Sequence, residues 1–99
     1  MLILFRPNDA GNPGRAVNMR LIRDFIRGPV RVSVFSWNNK YLLKLEAGNL
    51  EQTFKVDELD FTSDEEALQL LNERFMERAI LRFNDMAEAL YEARREVNG

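Results

Sequence analysis

The chain has no cysteine and no histidine. The first absence removes disulfides, thiolate metal sites and thiol nucleophiles. The second removes the commonest metal ligand and the commonest general base near neutral pH. A catalytic centre would have to be assembled from carboxylates, lysine, tyrosine or hydroxyls, so no enzymatic activity, cofactor or metal is expected. Long apolar runs are also missing. The opening MLILF stops at Arg6-Pro7, whereas a membrane span needs about 20 apolar residues and a signal peptide a longer apolar core. The expectation is therefore a cytoplasmic protein with no membrane partner.

What is present is ordinary for a folded domain. Hydrophobic residues make up 45% and charged residues 30% of 99 residues, which suits one domain over residues 1–99 and not a disordered chain. Residues 6–14, RPNDAGNPG, carry loop chemistry. Residues 1–18 accordingly read as a poorly ordered or loosely attached N-terminal segment, with MLILF as a candidate further strand. The charges are uneven. Residues 1–31 hold six arginines against Asp9 and Asp24, a balance of +4, and the other 68 residues hold eight cations and fourteen carboxylates, −6. Such an arm either binds a polyanion or docks on its own acidic body. Docking is favoured, because the whole molecule is acidic.

Residues 19–27, MRLIRDFIR, follow Asn18 and end at Gly28-Pro29. Met19, Leu21, Ile22, Phe25 and Ile26 would share one helical face opposite Arg20, Arg23, Asp24 and Arg27, so a short helix is predicted. From Val30 the period becomes two. Three strands are predicted at 30–37, 40–47 and 50–57, separated by Asn38-Asn39 and Gly48-Asn49. Two-residue turns would set Phe35 opposite Leu42, Val34 opposite Leu43, Arg31 opposite Glu46, Leu43 opposite Phe54 and Lys40 opposite Asp57. They would also set Glu46 against Glu51, a like-charge pair that weakens the scheme.

Beyond the sheet, Ser63 with Glu66 has capping-box spacing, and Asp64, Glu65 and Glu66 suit the positive end of a helix. Leu68, Leu71, Phe75, Ala79, Phe83, Met86, Leu90, Ala93 and Val97 then recur every three or four residues, with no proline or glycine between 63 and 98. A helix over 64–97 would run ~50 Å, against strands of about 25 Å. It must break, near Asn72-Glu73, or carry its far end onto something else. Met76, Ile80, Ala87 and Tyr91 widen its apolar arc past the ~100° that one contact needs, so a second layer or a second subunit is expected there. The fold class is thus α+β: a three-stranded antiparallel meander against a long or broken C-terminal helix.

Alternation sends Phe35, Trp37 and Leu42 to the sheet face away from Val32, Val34, Leu43 and Leu45. With Met76, Ile80 and Tyr91 these are the candidate interaction residues of a module that self-associates as a homodimer or meets another protein. Aromatics ringed by cations also resemble a stacking platform for single-stranded nucleic acid, with Arg20, Arg23, Arg31, Lys40 and Lys44 as the alternative contacts. Glu46, Glu51 and Asp57 nearly cancel that charge, so cover by protein is the favoured reading. The acidic run from Asp57 to Glu66 lacks the spacing of an EF-hand loop. Arg74, Arg78 and Arg82, flanked by Glu73 and Glu77, read as a solvated flank. The stretches FSWNNKYLLK and LEQTFKVDELD, within residues 29–90, resemble a group of small uncharacterised bacterial proteins. That resemblance implies a bacterial origin and no particular activity.

Overall fold

A computed structural model describes residues 19–98. Four strands, β1 (Arg20–Arg27), β2 (Val30–Trp37), β3 (Lys40–Ala47) and β4 (Leu50–Asp57), form one antiparallel sheet in chain order. A short 3₁₀ turn, Glu58–Asp60, leads into α1 (Asp64–Leu68) and then α2 (Glu73–Asn98). The α+β class stands, with four strands where three were predicted. The candidate MLILF strand and the loose segment expected at 1–18 lie outside the described residues.

The additional strand corrects the helix predicted at 19–27. Between Leu21 and Arg23 the β1–β2 register slips by one: Leu21 faces Phe35 while Arg23 faces Val34. Ile22 is the extra residue, and a bulge of this kind returns the next side chain to the same face. Ile22 and Phe25 consequently both pack toward the core, three residues apart, and imitate a helical repeat. Gly28-Pro29, which reads as a helix stop, is a hairpin turn. Gly28 sits at φ 62°, and the proline ring fixes a negative φ beside it, the combination that a two-residue turn with glycine first requires.

The other two hairpins follow the predicted register. Asn38 and Asn39 take φ values of 54° and 65°, the left-handed pair that matches the twist of the flanking strands. Phe35 faces Leu42, Val34 faces Leu43, Arg31 faces Glu46, Leu43 faces Phe54 and Lys40 faces Asp57. Glu46 does face Glu51. The repulsion is relieved sideways: Glu46 lies 3.9 Å from Lys44 Nζ, and Glu51 accepts a 2.7 Å hydrogen bond from Thr53 Oγ1.

One sheet face meets the helices. Val30, Val32, Val34, Leu43 and Leu45 from the sheet and Leu71, Met76, Ala79 and Phe83 from the helical layer form a single buried cluster. Phe75 closes its flank edge-on to Phe54, with ring centroids 5.3 Å apart. Gln52 projects into the same face. Its Nε2 donates to the Ala79 carbonyl at 2.8 Å and its Oε1 accepts from Arg82 Nε at 3.0 Å, so a buried amide keeps both ends satisfied while tying β4 to α2.

The helical region breaks where predicted. Ser63 Oγ accepts from the Glu66 amide at 3.1 Å, and the Glu66 carboxylate reaches back to the Thr62 amide and hydroxyl. Those bonds hold the Glu66 carboxyl below its ordinary range. Asn72 then starts α2, its Oδ1 accepting from the Phe75 amide at 2.9 Å. At 26 residues, α2 runs ~39 Å, past strands of eight residues and about 26 Å. Burial ends accordingly: Phe83 is buried, Met86 is half-buried, and every residue from Ala87 to Asn98 is exposed.

Candidate interaction surfaces

The sheet face turned away from the helices carries the first three candidates. Phe35 and Trp37 are half-buried, and Leu42 is only 4% exposed, flanked by Phe35 on β2 and Lys55 on β4. The alternation placed these three side chains correctly, yet Leu42 has little surface left to offer.

The five candidate phosphate contacts are divided between the two faces, and each meets a carboxylate. Arg31 bonds Asp24 at 3.0 Å, Lys40 bonds Asp57 at 2.9 Å and Lys44 lies 3.9 Å from Glu46 on the outer side. Arg20 and Arg23 turn the other way, 3.8 Å from Asp64 and 3.6 Å from Glu65 at the start of α1. Of the basic arm, Arg20 and Arg23 thus lie beside carboxylates of the acidic body, while Arg31 pairs with Asp24 inside the arm. Exposed pairs of this kind add little stability.

Near those pairs, β3 is fastened to α1. The Tyr41 hydroxyl donates to Asp64 Oδ1 at 2.7 Å, its ring meets Phe61 edge-on at 6.0 Å, and Ser36 Oγ donates to Glu58 at 2.8 Å. The hydrogen bond to Asp64, helped by burial and the nearby carboxylate charges, pushes the Tyr41 phenol up to about 12. A phenol so firmly protonated is a structural donor and not a base. Because its folded-state pKa lies above the unfolded value near 10, the stabilisation is intact below pH 10 and lost as pH rises through 12. Tyr41→Phe should lower stability by about 1–2 kcal/mol at pH 8. It should also flatten the wild-type loss of stability between pH 9.5 and 12, measured by urea unfolding with Trp37 fluorescence. Equal alkaline slopes in the two proteins would remove the role given to this bond.

The helical candidates separate. Met76, 2% exposed, belongs to the core, and Ile80 is half-buried against it. Met76 was expected to flank the sheet-facing stripe and instead belongs to it: α2 restarts at Asn72, and Met76, Ala79 and Phe83 face the sheet, with Ile80 beside them. Tyr91 alone stands on the unsupported part of α2, 63% exposed, with the Arg95 guanidinium 5.7 Å above its ring.

Residues not singled out as contacts complete that surface. A step of seven residues drifts only ~20° around a helix, so Met76, Phe83, Leu90 and Val97 form one line, with Ala79, Met86 and Ala93 forming the other half of an a/d seam. Its first part is buried on the sheet. Its second part is bare: Leu90 is 48% and Val97 84% exposed. The signal available in the sequence was the mismatch between helix and strand lengths. Among the described residues no three carboxylates converge as metal ligands, and no helix is long and apolar enough to cross a membrane. Compared with protein-family models, with curated proteins and with solved structures, the chain matches none of them.

Proposed function

We propose that the chain is a non-enzymatic protein-interaction module that associates with a second copy of itself through the outer half of α2. The observation that carries this is the continuation of a buried seam, Met76, Ala79 and Phe83, through half-buried Met86 into Leu90, Ala93 and Val97, which are exposed. Twelve exposed residues of helix gain little from local propensity alone, and an apolar line kept in phase over them is what a second helix would cover. A cytoplasmic setting suits a chain without cysteine.

The single-stranded nucleic-acid reading needs open cations around Phe35 and Trp37. The carboxylate partners of Arg31, Lys40 and Lys44 favour the interaction module over it. Light scattering across a micromolar concentration series tests the choice. The wild type should rise toward twice the monomer mass, and Leu90→Glu should hold at monomer mass with an unchanged far-UV spectrum. A wild type that stays monomeric at the highest concentration, or that is retained on heparin at low salt, would overturn the reading.

A further inference from the structure

Resting on that self-association, we infer that the second copy lies antiparallel along the outer half of α2, with Leu90 of each chain level with Ala93 of the other and Met86 level with Val97. The direction follows from what already covers the seam. In a parallel pair, residues 76–83 of both helices would face each other, but in each chain that stretch is covered by its own sheet through Val32, Val34, Leu43 and Leu45. Two sheets would collide. In the antiparallel pair, the second copy's residues 76–83 and the sheet they carry fall beyond the level of Asn98, and only the bare halves overlap.

Side-chain sizes agree with this register. Leucine beside alanine and methionine beside valine alternate large and small across the seam, and Ala87 and Ala89 at its margins allow close approach. Antiparallel pairing also sets the two helix dipoles head to tail, whereas parallel pairing stacks like on like. Four layers are few for a coiled coil, so the association depends on concentration.

The absence of native cysteine makes the geometry directly readable. Leu90→Cys in a tagged chain and Ala93→Cys in an untagged one are mixed at equal concentration under mild oxidation, with each variant alone as a control and light scattering under reducing conditions in parallel. The mixed disulfide should exceed either homodimer at least fivefold, and Met86→Cys with Val97→Cys should behave alike. A dimer mass accompanied mainly by Leu90→Cys and Ala93→Cys homodimers would overturn the antiparallel register and leave self-association standing. Monomer mass for every variant and for the wild type, with no cross-link, would overturn both.

Discussion

Leu45→Lys is expected to abolish the cooperative unfolding transition. Leu45 is fully buried, facing Val32 on one side and Gln52 on the other, beneath the helical layer. The substitution forfeits about 2–3 kcal/mol of apolar burial and places an ammonium group inside the apolar cluster, which costs several kcal/mol more. A domain of this size has roughly 5–10 kcal/mol in total. The neighbouring change Lys44→Leu lies on the opposite face and is half-exposed, so it should shift the urea midpoint only slightly. The pair of variants reads out the pleat directly, by far-UV circular dichroism and Trp37 fluorescence. Near-native unfolding of Leu45→Lys would refute the assignment of the helix-covered face.

Phe83→Ala is expected to lower stability by about 3–5 kcal/mol, and the melting temperature by roughly 15–30 °C for a domain this small. Phe83 is the last buried side chain of α2, so its removal opens a cavity at the margin of the sheet. Leu90→Ala and Val97→Ala, one and two heptads further along the same line, should leave the melting temperature nearly unchanged in dilute solution, where the monomer predominates. A gradient of this shape locates the point at which α2 leaves its own domain. Equal losses at all three positions would mean that the outer half packs on the chain itself.

The parts legible from sequence were those governed by local rules. Asn38-Asn39 dictated a turn, the turn dictated register, and register brought Val34 to Leu43 and Lys40 to Asp57. The break near Asn72-Glu73 was offered by helix length alone, and the Asn72 side chain caps the restart. The β1 strand was not, because Ile22 is an inserted residue and a single bulge turns a period of two into an apparent three. The choice among ion-pair partners was equally hidden. Arg31 faces Glu46 across β2 and β3, yet its guanidinium bonds Asp24 on β1, a strand that the helical reading had taken out of the sheet. The overhang at Leu90 and Val97 was legible from a different signal, the mismatch between helix and strand lengths. Periodicity reports which side of a helix is apolar and is silent about how far along that side the covering layer extends.

The three tight turns also bear on how the chain reaches this state. Each strand pairs with its immediate predecessor across two residues, so the sheet can zip one hairpin at a time and each step closes only a small loop. The exception is the return of α2, which joins Gln52 to Ala79 and shelters the valine-rich face. Low contact order favours rapid folding, and here the entropy of the search is concentrated in that one docking event.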